Sequence, residues 1–363
     1  MATSDAQTTA PPQAVPPSAD VSSQNPFVRI SSLFTLLILA ALILAFSLIS
    51  GKNFLNPNNF QNIAIDASQL LLLAVGATFV IITAGIDLSV GSVLIFSAVV
   101  AAKVAVRFSG SPEQVKLYEF PTQEMGIPLG IAAGILSGLG WGIVNGVLIT
   151  RLKMPAFIVT LGTLGMALGF AQLLSRGVNV PNVPPAIQQE IGLRELVSFD
   201  LEGYHYRITP PLAVTTVVVV IAAVALARTR FGRYTYAVGS NAAAARRVGI
   251  NVDLHLIKVY ALSGLLAGIA GVFDLLRFGT ASVSTHQADN LAAISAAVIG
   301  GTSLFGGLGT IVGSVIGTFI PAVLRNGTVI ARVQPFWQQV LIGGILIVAV
   351  YLDQRRRRAE ERM

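Results

Sequence analysis

Few side chains in this sequence are placed to do chemistry. The 363 residues include no cysteine, which excludes disulfides, thiolate metal sites and cysteine nucleophiles. The three histidines, His205, His255 and His286, fall in three separate connecting regions and offer no metal-ligand cluster. No His-Glu-x-x-His, no Asp-rich phosphate-binding cluster and no Ser/His pair in facing segments supports an enzyme. No Gly-x-x-x-x-Gly-Lys-Ser/Thr run is present to cradle a nucleotide. The residues that stand out are acids within apolar stretches, Asp66 and Asp87. Asp87 lies in the interruption Thr83-Ala-Gly-Ile-Asp-Leu-Ser-Val-Gly-Ser92. It can cap a helix opening near Leu88 by accepting orphan backbone N–H groups. It can equally face a polar solute, because an acid at membrane depth is costly and calls for a partner. Ser89 and Ser92 suit either role. Gln69, Asn145, Thr160, Thr163 and Gln172 are further polar residues in apolar stretches that can face a pathway.

A second interruption reads Ile299-Gly-Gly-Thr-Ser-Leu-Phe-Gly-Gly-Leu-Gly-Thr310 and brings Thr302, Ser303 and Phe305. Aligning Gly85 with Gly301 sets Asp87 opposite Ser303, Leu88 opposite Leu304 and Gly91 opposite Gly307. The match suggests an internal repeat, and paired breaks in two halves of a transporter point to its pathway.

The elements that must position these residues are membrane helices. Hydrophobic residues make up 53% of the chain and charged ones 11%, against roughly 25% charged in soluble domains. Mean hydropathy is +0.73. A crossing helix needs about 20 mostly apolar residues. About ten segments qualify on that rule: 32–50, 62–84, 90–107, 126–150, 156–175, 210–228, 256–276, 290–301, 308–325 and 335–352. The third and eighth are short or interrupted, so the expected fold is an all-α polytopic bundle with two interrupted or half-length helices.

The net charge of +7 sits in short loops and a tail, as topology signals do, and does not mark a nucleic-acid surface. The 228–258 loop, Arg151 with Lys153, and Arg355 to Arg358 should face the cytoplasm, as should both termini. The acidic 109–125 loop and the mixed 176–209 loop should face outward. Residues 1–27 read as a disordered cytoplasmic tail, 28–352 as the transmembrane domain and 353–363 as a basic tail. No basic n-region precedes a cleavable apolar stretch, so the first span reads as an uncleaved anchor. Gly130, Gly134, Gly138, Gly142 and Gly146 form one flat helix face, and Gly309, Gly313 and Gly317 repeat the spacing. Packing within the bundle is favoured over a dimer interface for these faces.

The stretch Phe231–Val252 carries a short helix. Ser240 or Asn241 can cap it, four alanines favour it, Arg246 and Arg247 suit its negative end, and Gly249 closes it. An exposed rigid helix with a small-residue face can sit in a groove on a partner protein. This stretch resembles the coupling segment of the ribose/xylose/galactoside-type ABC permeases, Gly-x-Asn-x-x-Ala-Ala-x-x-Ser-Gly-Ile. The matches are Gly239, Asn241, Ala244, Ala245, Gly249 and Ile250, with Val248 where Ser is usual. Gly85–Ser92, Ala297–Thr310 and Pro155–Thr163 resemble three further blocks of that family, so the resemblance runs from about residue 30 to 352.

The resemblance implies alternating access for a monosaccharide or polyol. It also implies a second permease copy, a periplasmic sugar-binding protein and a separate cytoplasmic ABC ATPase docked at Gly239–Gly249. No cofactor is expected. Phe157, Phe170, Phe273 and Phe305 could wall a sugar site. A secondary transporter or channel, and an ABC permease for nucleosides or branched-chain amino acids, are the competing readings.

Overall fold

The computed structural model describes residues 26–201, 203–334 and 336–360. Residues 1–25 of the expected tail lie outside them, and Pro26 already opens the first helix, α1 (Pro26–Ser50). The chain then runs through α2 (Pro57–Ile82), α3 (Val90–Phe108), α4 (Pro112–Lys116), α5 (Gln123–Arg151) and α6 (Ala156–Ser175). The strands β1 (Val197–Leu201) and β2 (Tyr204–Ile208) follow. The rest comprises α7 (Pro210–Arg228), α8 (Arg230–Ser240), α9 (Ala242–Arg247), α10 (Val252–Phe278), α11 (Asp289–Ile299), α12 (Ile311–Ile330) and α13 (Phe336–Glu360).

Each expected span coincides with a helix, and some of the helices open on a capping side chain. Asn56 accepts a hydrogen bond from Asn58 N ahead of Pro57, and Thr310 accepts one from Gly313 N at 3.0 Å. Gly279, at φ 64, ends α10. Among the described residues, seven helices are long and apolar enough to cross a membrane.

The structure departs from expectation in four places. Of the two segments expected to be short, only α11 is: its 11 residues span about 16 Å at 1.5 Å each, half the hydrocarbon core. The other, α3, has 19 residues. The 176–209 connection is not plain loop: β1 and β2 pair antiparallel, Val197 with Ile208 and Leu201 with Tyr204. Alternating Phe199 and Tyr206 stack across that hairpin at 5.3 Å. Residues 353–360, expected as tail, continue α13. His255 is not in a connection but in the first turn of α10, buried against Phe231 and bonded to Thr235.

Helix α2 is the axis of the bundle. It buries 89% of its most apolar stretch, whereas α7 buries 22% and α6 28%. The outer helices are apolar all round because lipid, not protein, meets their other face. The glycine face of α5 is turned inward, as expected. A Cβ on Gly138 would stand 2.7 Å from Gly268 N, and one on Gly146 2.7 Å from Ile257 Cα, both on α10. Without those Cβ atoms the backbones of α5 and α10 can touch. Gly313 and Gly317 do the same for α12, against Gly300 and Ala296.

Candidate functional site

The first interruption, residues 83–89, turns back among the helices instead of simply linking α2 to α3. Ala84 takes φ 59 there, a left-handed conformation that a residue with a Cβ adopts at a cost. The turn carries Asp87 inward, to 3% exposure. Its Oδ1 accepts from Ser89 N at 3.0 Å and Ser89 Oγ at 2.6 Å, and its Oδ2 accepts from Ser263 Oγ of α10 at 2.9 Å. The chain of bonds continues outward. Asn145 Nδ2, in the last two turns of α5, donates to Ser89 Oγ at 2.9 Å. Thr163 Oγ1 of α6 donates to Asn145 Oδ1 at 2.7 Å, and Thr160 Oγ1 reaches the Ile86 carbonyl at 3.2 Å.

Five pathway candidates, Asp87, Ser89, Asn145, Thr160 and Thr163, are therefore one buried network tying α3, α5, α6 and α10 at a single level. Asp87 anchors the start of α3 from two residues ahead of its N-cap, Ser89. Ser263 was missed from the sequence because a lone serine in an apolar span gives no signal of its partner. Tyr260 Oη, buried beside Gly85, has no hydrogen-bond partner among the described residues.

The other candidates are scattered. Asp66 is half exposed and pairs with Arg277 at 2.8 Å. Gln69 is partly buried, with its Nε2 enclosed and unpaired among the described residues. Gln172, Phe157 and Phe170 lie exposed on the outer face of α6, and Phe273 is in the core. None of these four reaches the Asp87 network through a described hydrogen bond. Thr302 is buried, Ser303 accepts from Phe305 N, and Phe305 is half exposed, all in the second interruption. The sequence reading also passed over an ionic cluster. His286 bridges Asp274 at 2.8 Å and Asp289 at 2.7 Å, and Arg325 of α12 bonds the other Asp289 oxygen. Asp274 and Arg325, both charged within apolar stretches, were the available signal.

The two interruptions meet. Gly307 N donates to the Ile82 carbonyl at 2.8 Å, and a Cβ on Gly306 would stand 2.9 Å from Ala84 N. Helix α8 lies over that junction. Gly239 packs on the same Ile82 carbonyl with no room for a Cβ, and Tyr236 Oη donates to the Gly309 carbonyl at 2.7 Å. Burial pushes the Tyr236 phenol up to about 12, so it keeps its proton.

Beyond α8 stands α9, formed as its residues dictate. Asn241 accepts from Ala244 N at 2.9 Å, and Gly249 closes the turn at φ 87. Ala242, Ala243, Ala244, Arg247 and Val248 are exposed, and Arg246 pairs with Asp253 at 2.7 Å. Ala245 instead faces inward, packed with Val238 and Val252.

The profile of the family described as branched-chain amino acid transport system permease component matches residues 59–350. The ribose import permease protein of Escherichia coli is 36% identical over 332 residues, 90% of this chain and 94% of that protein. The fructose import permease protein of Rhizobium meliloti is 34% identical over 324 residues, 88% of this chain and 84% of its own. The galactose/methyl galactoside import permease protein of Haemophilus influenzae is 34% identical over 327 residues, 88% and 92% of the two chains. No solved structure matches the chain. A transmembrane helical bundle with two touching interruptions, matched over most of its length, thus belongs to the family of transport-system permease components that includes these sugar import permeases.

Proposed function

We propose that this chain is the membrane-spanning subunit of a bacterial ABC importer, carrying a monosaccharide or related polyol across the inner membrane by alternating access. Ten apolar segments with both termini inside fit the basic 228–258 loop, and each coincides with a helix, α11 reaching only half of the hydrocarbon core. The work of hydrolysis belongs to a separate ATPase polypeptide, and a periplasmic binding protein delivers the solute. A second copy of the chain, or a related one, completes the pore.

The observation that carries this reading is α9. It is a capped, exposed helix with three exposed alanines, seated through α8 on the junction of both interruptions. A partner that holds α9 can therefore act on the bundle. Gly239, Asn241, Ala244, Arg246, Arg247 and Gly249 build or present that element, and Ala245 holds it to the body. The Asp87 network is the polar belt that the helices keep in register as they reorient. Asp66, Gln69, Thr302, Ser303 and Phe305 remain the candidates for lining the pathway.

The test is uptake in proteoliposomes holding the chain, its ATPase and its binding protein. D-ribose, D-fructose, D-allose and D-galactose serve as solutes, with leucine and adenosine as the competing classes. ATP-dependent accumulation of one of the sugars is expected. Accumulation that follows an imposed proton gradient without ATP refutes the reading in favour of a secondary transporter.

A further inference from the structure

The C-terminal half of α8 makes contacts that a mere topology loop does not need. Its Gly239 sits on the Ile82 carbonyl, the last of α2. That same carbonyl accepts the hydrogen bond from Gly307 N of the second interruption. A Cβ added to Gly307 would stand 2.7 Å from Ser240 Oγ, so the next residue of α8 closes on the second interruption too. One turn earlier, Tyr236 Oη donates to the Gly309 carbonyl, one residue before the Thr310 cap of α12. The end of α8 thus touches the chain leaving α2 and the chain entering α12 at once. Ala84, at φ 59, is held in a conformation that is costly for a residue with a Cβ, while Gly306 and Gly307, at φ 83 and 77, take turns open to glycine alone. Strained backbone of this kind persists only where its surroundings hold it.

We propose that Tyr236 is a positioning residue for transport: its hydroxyl, with the close seat of Gly239, fastens α8 to both interruptions so that a push on α9 moves α2 and α12 together. This rests on the importer reading and adds the route by which the push arrives. The phenol suits the task. It is partly buried, burial raises it to about 12, and it donates to the carbonyl of Gly309, which lies outside the helices. Phenylalanine at 236 keeps the ring and its packing and removes only the bond.

The experiment compares wild type and Tyr236→Phe in proteoliposomes with the ATPase and the binding protein, using the four sugars named above. Both ATP hydrolysis and sugar uptake are measured. Sugar moved per ATP hydrolysed is expected to fall about threefold to tenfold, the factor one hydrogen bond supplies, while hydrolysis persists. A role in folding alone lowers both rates in step and leaves their ratio unchanged, and that outcome overturns the proposal.

A second measurement needs no solute. The chain lacks cysteine, so with a cysteine-free ATPase spin labels attach only at Ala243→Cys on α9 and Phe305→Cys in the second interruption. Their separation should stay fixed between the nucleotide-free and ATP-vanadate-trapped complexes with Tyr236 and shift or broaden with Phe. A separation insensitive to Tyr236→Phe also overturns the proposal. Failure of the wild type to accumulate any sugar with ATP overturns the importer reading instead.

Discussion

Asp87 was the residue with two possible roles, and the structure separates them in a way that substitution can test. Its carboxylate holds three buried donors: Ser89 N–H, Ser89 Oγ–H and Ser263 Oγ–H. In Asp87→Ala all three lose their acceptor. A buried donor left unpaired costs about 1–3 kcal/mol. The Ser263 hydroxyl can swing to a carbonyl of its own helix, as serines in helices do, and recover part of that, whereas Ser89, ahead of α3, has no such carbonyl. The backbone N–H cannot. The net loss is about 3–5 kcal/mol, which lowers the melting temperature by about 4–7 °C for a chain of 363 residues at about 2.1 cal/mol/K of unfolding entropy per residue. In Asp87→Asn the amide oxygen still accepts from Ser89 N, and the NH2 group can donate to Ser263 Oγ, so the expected loss is under about 1 kcal/mol. The assay is thermal unfolding of the purified chain in detergent, paired with ATP-driven uptake normalised to folded protein. The expected order is wild type, then Asn close behind, then Ala well below, with uptake following the folded fraction. If Ala melts within about 2 °C of wild type, the three bonds do not carry the stability assigned to them. If Asn melts like wild type yet transports nothing, the charge itself acts in transport, and anchoring is not the whole of its role.

The remaining expectations follow from named contacts. Gly138→Val should destabilise by about 1–3 kcal/mol or more, because its side chain has only the α10 backbone to enter. Gly140→Ala, where an added Cβ meets nothing within 4 Å, should be neutral or stabilising by up to about 1 kcal/mol, and the two melting curves side by side check the assignment of the packed face. Arg325→Gln leaves the buried Asp289 with His286 alone, and should cost about 1–3 kcal/mol. The double variant with Asp289→Asn should recover most of that in the same melt, since the unpaired charge is then gone. Ala244→Glu, on the exposed face of α9, should leave melting unchanged and reduce ATP-dependent uptake at least tenfold, on the order of one disrupted interface anchor. Uptake that survives it places the docking face elsewhere.

The sequence by itself determined the class of the molecule. Ten apolar stretches came through as ten helices because length and hydropathy leave an apolar segment in lipid no other way to satisfy its backbone. The α9 helix was equally legible, since Asn241, the alanines and Gly249 act on neighbours within six residues. Local rules reached no further where the determining partner was distant. That Asn145, Thr163 and Ser263 close around Asp87 and Ser89 depends on residues up to 176 positions apart. The same holds for His286, whose place in a connection gave no hint that Asp274 and Asp289 would pair with it and that Arg325 would pair with Asp289 in turn. The hairpin at 197–208 went unread because loop composition, not alternation, dominated the segment. Only the tertiary structure turned Phe157 and Phe170 outward, Ala245 inward, and set α8 on the meeting point of both interruptions. Hydropathy fixes which residues leave water, but it is the close approach of backbones across glycine faces that fixes which of them meet.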